Sequence, residues 1–245
     1  MPLLTNNPLQ HPSQTALFDA VDATWSPFAL HRHDGWLIRE GMGGGQRVSA
    51  ATLMPNTQDY KINTAAAKMT SLDQVPLFMI RDTDNVLDAE LHNLGYETVD
   101  PVVILIAPVA ELLKSAPVQT QTVHCLSAPN ARARNIWSTG GIDQKRLDVM
   151  ARVKGPKTIL LAGEMGVSFV AAHTGIAMIH AVEVAESHRR KGAANAMMYK
   201  AFEWAKDQGC MWVATLTVRA NIPARTLYEN LGMVATTAYH YRRKA

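Results

Sequence analysis

Residues 177–194 constrain this chain more than any other stretch. An apolar run over 179–184 reads as a strand. A short polar loop follows and carries three successive cations, Arg189, Arg190 and Lys191, then Gly192, Ala193 and Ala194. From Asn195 to Ala205 the spacing is helical. A strand that runs through a cationic turn and a glycine into a helix start is an anion site. The first turn of a helix has N–H groups without partners, and the helix dipole adds partial positive charge there. Glycine lets the backbone approach a ligand because it has no Cβ. A diphosphate suits such a cradle. A solvated basic turn is the plainer account of the same cations.

The 245 residues are 47% hydrophobic, enough for one large or two small packed cores. No run of about 18 apolar residues is present, so no transmembrane helix is expected. The start, Met1-Pro2-Leu3-Leu4, lacks the charged and apolar regions of a secretion signal. With only Cys125 and Cys210 for thiols, this points to the cytoplasm. No metal-ligand cluster stands out, and His31 and His33 read as polar side chains facing solvent. Charge is uneven. Residues 1–115 hold 7 Lys and Arg against 13 Asp and Glu, a balance of −6. Residues 116–245 hold 17 against 8, a balance of +9. The basic half is the half with the cradle and would attract a polyanion.

The periodicities predict an α/β fold. A helix is expected over 16–25, stopped by Pro27, and strands over 35–40, 75–80 and 99–108. Gly41 to Gly45 read as a hairpin loop with 46–53 as the returning strand; a phosphate loop would need a better helix start after it. A helix over 85–94 ends at Gly95. Residues 115–130, rich in Ser, Thr, Gln and Pro, are the boundary candidate, giving domains of 1–115 and 116–245. In the second half a helix is expected over 143–153, strands over 157–162, 167–172, 176–184 and 212–218, a helix over 224–230 and a strand over 234–241. Asn93-Leu94-Gly95 echoes Asn230-Leu231-Gly232 at an offset of 230 − 93 = 137, which puts Leu91 where the second half has Tyr228.

The spacing Arg189-x-x-Gly192-x-Ala194 after a strand resembles the acetyl-CoA signature of the GNAT superfamily of N-acetyltransferases, [Arg/Gln]-x-x-Gly-x-[Gly/Ala]. Downstream, Asn221-x-x-Ala224-x-x-Leu227-Tyr228-x-x-x-Gly232-Met233 is similar to that family's late helix. Two ordered motifs cover roughly residues 125–245. The resemblance implies a mixed, mostly antiparallel sheet flanked by helices. The echo at 137 residues extends it to the first half as a GNAT-like domain that has lost its chemistry, a common helix exit being the plainer account of that echo. It implies acetyl-CoA as co-substrate along the strands 179–184 and 212–218. The backbone at Val182 and Val184 would meet the pantetheine arm, and the amides of Arg190, Lys191, Gly192, Ala193 and Ala194 the diphosphate. Asn221 would touch the same arm, although it also fits a helix cap before Pro223. Ala194 stands where glycine is commoner, and Met233 where phenylalanine is.

The implied reaction is attack of an amine on a thioester. Tyr228 matches the family's general acid, which protonates the departing thiolate; ring packing on an amphipathic helix is the structural alternative. Glu183 is a carboxylate in an apolar strand and a candidate base. Strict alternation puts it on the face of Ile179 and Ala181, opposite His180 and Val182. An ion pair with a neighbouring cation is the favoured account of it, and His180 and His173 are weaker candidates for a base. The acceptor is an amine of a small molecule or a protein, and the acidic first half favours a cationic one. The rival classes are a non-catalytic CoA-binding regulatory module and a nucleic-acid binder, the latter hinted at only by residues 239–244. Homo-oligomerisation is left open.

Overall fold

The computed structural model describes residues 10–114 and 121–244. The first half runs α1 (Gln14–Thr24), β1 (Ala29–His33), β2 (Trp36–Glu40), β3 (Ala51–Leu53), α2 (Ile62–Ser71), β4 (Leu77–Arg81), α3 (Asn85–Asn93), β5 (Glu97–Pro108) and α4 (Val109–Lys114). The second runs β6 (His124–Leu126), α5 (Ala131–Thr139), α6 (Gln144–Arg152), β7 (Lys157–Ala162), β8 (Gly166–His173), β9 (Ile176–Val184), α7 (Ala193–Asp207), β10 (Trp212–Val218), α8 (Ile222–Asn230) and β11 (Val234–Arg243). Side-chain caps set several starts: Ser13 accepts from Ala16 N–H, Asn130 from Ala133 and Asp143 from Arg146. The expected boundary at 115/116 lies outside the described residues. Within 121–130 the linker candidate forms β6 and the cap of α5. The return strand expected over 46–53 is shorter, because a 3₁₀ turn at Gln46–Val48 takes up its first residues.

All eleven strands form one mixed, mostly antiparallel sheet in the order β1-β2-β3-β4-β11-β5-β10-β9-β8-β7-β6. The two halves interleave at its centre: β11 lies between β4 and β5, and β5 lies between β11 and β10. The 137-residue offset is written into the register. The β4–β11 pair Arg81↔Tyr239 becomes, with 137 added to one number and removed from the other, the β10–β5 pair Val218↔Val102. Leu77↔Arg243 becomes Ala214↔Ile106 in the same way. Helices α3 and α8 are offset by 137 at both ends. Their exits match too. Gly95 and Gly232 take φ +81 and +92, with Tyr96 N–H bonded to Leu91 C=O and Met233 N–H to Tyr228 C=O.

Helices cover both faces. On one face α7, α8 and α4 pack over β5, β8, β9 and β10, and α2 and α3 pack over the first half's strands. On the other, α1, α5 and α6 cover the second half's sheet. Helix α1, although early in the chain, packs against β8 and β9. The central strand β5 is buried on both sides. Ile104, Leu105 and Ile106 are each 0% exposed, and burying each contributes about 1.5–3 kcal/mol. Asp88 of α3 ties β11 down through Arg242 (2.7 Å) and His240 (2.7 Å).

Candidate active site

Strands β9 and β10 run parallel and pair from Trp212↔Ile176 to Thr215↔Ile179, where the pairing stops. Thr215 Oγ1 donates to Ile179 C=O at 3.1 Å on this last rung. Beyond it the strands diverge, and β9 keeps partners only on its other side, through Glu183↔Val167 and Val184↔Gly166 of β8. Val182 and Val184 therefore line one arm of an open fork.

A bulge shapes that arm. Val167 pairs with Glu183 but Phe169 pairs with His180, so β9 carries one extra residue. Ala181 takes φ +50, and Trp137 Nε1 donates to its carbonyl at 2.8 Å. This corrects the alternation expected from the sequence. Ala181 packs with the α5–α6 cluster, while Val182 joins Ile179 on the α7 face. The Glu183 side chain lies against Gly140 at the α5–α6 turn, where a Cβ would overlap its carboxylate. Glu183 thus shares a side with His180 and Ala181, opposite Ile179. Its carboxylate is 3.9 Å from Arg189 Nη2. Burial pushes its pKa up, against the pull of Arg189 and the Val184 N–H.

The anion cradle sits where β9 gives way to α7. Arg190 and Gly192 adopt φ +63 and +86, and no side chain caps the helix start. Lys191 Nζ donates to Ser187 C=O, and Gln121 Nε2 to Lys191 C=O, so the turn is braced from two sides. Arg189, Arg190, Lys191 and Gly192 are exposed, Ala193 is buried and Ala194 half-buried. Two left-handed residues around Lys191 and an uncapped helix start are what an anion-binding backbone requires.

Tyr228 of α8 is 5% exposed in the core shared with Ile179 and Val213. Burial pushes its phenol up, and the nearby Thr215 hydroxyl acts the other way. The phenol therefore sits beside the last rung of the fork. Asn221 caps α8, its Oδ1 accepting from Ala224 N–H at 3.2 Å. His173 lies at the β8–β9 turn, on the far side of the paired stretch from the fork. His180 is buried and its pKa lies well below the ordinary histidine range through desolvation and, secondarily, Arg47. Thr24 spends its proton on Ala20 C=O, so its oxygen accepts from His180 Nε2 at 2.9 Å, and this bond fastens α1 to β9.

A cavity of about 340 Å³ opens on the opposite face of the sheet from Tyr228. Its walls include His180 and Ala181 of β9, Leu216 and Val218 of β10, and Arg47 and Arg146. It therefore meets the fork at the first unpaired residues of both strands. Another cavity, of about 240 Å³ near Arg134, Leu147 and Phe169, does not reach the fork. The two arginines were not legible as site residues. Arg47 follows a loop that reads as a hairpin, and Arg146 sits in an ordinary polar helix. Of the thirteen acids of the first half, one, Asp100, lines the cavity, while others such as Asp22, Glu40 and Asp88 pair with Arg39, His31 and Arg242. The cationic acceptor expected from bulk charge finds no support in these walls.

Residues 150–233 match the model of the Acetyltransferase (GNAT) family. The chain is 27% identical over 124 residues to an aminoglycoside N(6′)-acetyltransferase type 1 of Serratia marcescens, covering 44% of this chain and 85% of that protein. Among solved structures, a GCN5-related N-acetyltransferase from Kribbella flavida superposes with a TM-score of 0.66 at 13% identity, over 93% of this chain and 94% of its own. A tandem GNAT protein from the clavulanic acid biosynthesis pathway gives 0.60 at 12% identity, over 79% and 74%. No helix among the described residues is long and apolar enough to cross a membrane. The fork, the cradle and these matches together give a two-domain GNAT fold in which residues 150–233 are similar to the Acetyltransferase (GNAT) family.

Proposed function

We propose that the protein moves an acetyl group from acetyl-CoA to an amine by direct attack. One observation carries the proposal: the β9–β10 pairing ends at Ile179 and Thr215 with Tyr228 on one face and an open cavity on the other. Acetyl-CoA fits the features around that point. The unpaired arm at Val182 and Val184 offers backbone groups to the pantetheine. The turn from Arg189 to Ala194 offers N–H groups and charge to the diphosphate, and Asn221 stands at the start of the neighbouring helix. The amine nitrogen bonds to the thioester carbon, the C–S bond breaks, and the sulfur takes a proton from the Tyr228 phenol. Glu183, a carboxylate held with a raised pKa on the same arm, accepts the proton the amine gives up. A CoA-binding module without catalysis would use the cradle alone and gives Tyr228 no role.

The first half, which we take as residues 1–115, reads as a GNAT-like domain without this chemistry, and 116–245 as the acting domain, in the cytoplasm. The shared register supports a common origin. Leu91, fully buried, occupies the position of Tyr228, and Lys61, at φ −125, begins α2 where the second half has left-handed Gly192. Calorimetric titration with acetyl-CoA tests the proposal. Micromolar binding is expected, lost in the Arg190→Ala/Lys191→Ala double variant. Absence of binding to the unaltered protein sinks it.

A further inference from the structure

Arg47 and Arg146 converge on the acceptor cavity without an acidic partner. Among the described residues neither forms an ion pair with an Asp or Glu. Arg47 Nε donates to the Tyr239 hydroxyl at 3.4 Å, with the Tyr241 phenol also near, and its guanidinium lies 5.7 Å from the centre of the Trp25 ring. Arg146 Nη1 donates to Gly141 C=O at 3.0 Å. Its guanidinium flanks Gly45, so near that a Cβ there would stand 3.7 Å from Nε. Both cations thus border the same short loop, residues 44–47. The other titratable groups in the walls do not cancel them. His180 is kept neutral, Tyr241 is held protonated by burial, Tyr239 is a phenol, and Asp100 is one exposed carboxylate. Between the arginines and the fork the walls are apolar: Ile142, Val102, Leu216 and Val218.

We infer that the acceptor is a small amine that also carries a carboxylate, which Arg47 and Arg146 hold while the amine reaches the fork beside Ala181 and Leu216. This rests on the acetyl-transfer reading above. Guanidinium groups suit carboxylates through paired, charge-assisted hydrogen bonds. The cavity volume lies at the small end of the range for small-molecule sites. A polycationic acceptor would bring its charge against two unneutralised arginines.

The test uses matched amines, each as the carboxylate and as its carboxamide, for example β-alanine with β-alaninamide and 4-aminobenzoate with 4-aminobenzamide. Spermidine and an aminoglycoside serve as cationic controls. CoA thiol release gives kcat and KM, and calorimetry gives acetyl-CoA affinity for every variant. The carboxylate members are expected to lead their amides by about 10- to 100-fold in kcat/KM, the worth of a charge-assisted hydrogen-bond pair. Arg47→Gln is expected to erase that lead mainly through KM, with acetyl-CoA affinity unchanged. Arg146 is exposed, so Arg146→Gln gives the same answer if the Arg47 variant folds poorly. Several results overturn the inference in a protein that binds acetyl-CoA: amides or polycations used as well as the acids, no turnover of any acid, or an unchanged acid-to-amide ratio in both variants. Failure to bind acetyl-CoA would instead strike at the acetyl-transfer reading.

Discussion

Replacing Tyr228 by phenylalanine separates catalysis from folding at this site. The phenol is 5% exposed in the α7–α8 core and lies beside Thr215. Thr215 gives its own proton to Ile179 C=O, so deleting the phenol oxygen leaves no orphaned donor there. The stability loss should not exceed that of one hydrogen bond, about 0.5–1.5 kcal/mol. The melting temperature should fall by about 2–4 °C per kcal/mol. Leu91, with no polar atom, sits at the position 137 residues before Tyr228 and is itself 0% exposed, so the local packing tolerates an apolar side chain there. General acid assistance, by contrast, is worth about 10²–10⁴ in rate, or about 2.7–5.5 kcal/mol of barrier. Burial keeps the phenol protonated through neutral pH, so the loss in kcat should persist across the whole neutral range. Thiol-release kinetics with a saturating amine, acetyl-CoA calorimetry and a melting curve would be read together. A folded variant that binds acetyl-CoA and keeps kcat within about threefold refutes the acid role, because such a change is far below the range for general acids.

Gly192→Ala should cost about 1–2 kcal/mol through its left-handed backbone, since the added Cβ meets only Gln121 Nε2 at 3.5 Å. If the turn relaxes to relieve that strain, acetyl-CoA affinity falls about tenfold by calorimetry; unchanged affinity and melting would show that the turn does not depend on glycine. Glu183 has a raised pKa when folded, so its ionisation opposes folding as pH rises through that value. Glu183→Gln should therefore melt higher than the parent at neutral pH, with the advantage gone at acid pH where both are neutral. The same variant should lose the acidic limb of the kcat/KM profile, and an intact limb would assign the proton transfer elsewhere.

Much of the site was readable because it is local. The cradle is a contiguous run whose cations, glycine and helix start need no distant partner, and Tyr228 lies in a contiguous motif. What the sequence hid depends on pairing across long separations. The bulge at Ala181 has no signal in an alanine. It arises because β8 and β9 must keep register on both sides of it while Trp137, 44 residues away, holds the carbonyl. Strict alternation consequently placed Glu183 on the wrong face. Helix α2, α4, α5 and the edge strands β1 and β6 were not foreseen, being short and weakly patterned. Arg47 gained its place from a 3₁₀ turn where a strand was expected. Bulk charge is blunt for a related reason: of the thirteen acids of the first half, the cavity walls include one, Asp100, so the count over 115 residues says little about the few groups that face the cavity.

The interleaved centre of the sheet also governs the order in which the protein can be completed during synthesis. When residues through Pro108 have emerged from a ribosome, β4 and β5 exist but the strand that belongs between them does not. Both then present unpaired backbone edges, and β5 carries the longest apolar run of the first half's strands, residues 102–107. The gap closes only after synthesis has passed Arg243, once β10 and α8 have also been made. Until then the first half is an open template of the kind that recruits stray strands. Sheltering β5 against its neighbours, or delaying its exposure, is thus a task the growing chain must meet before any acetyl group can be moved.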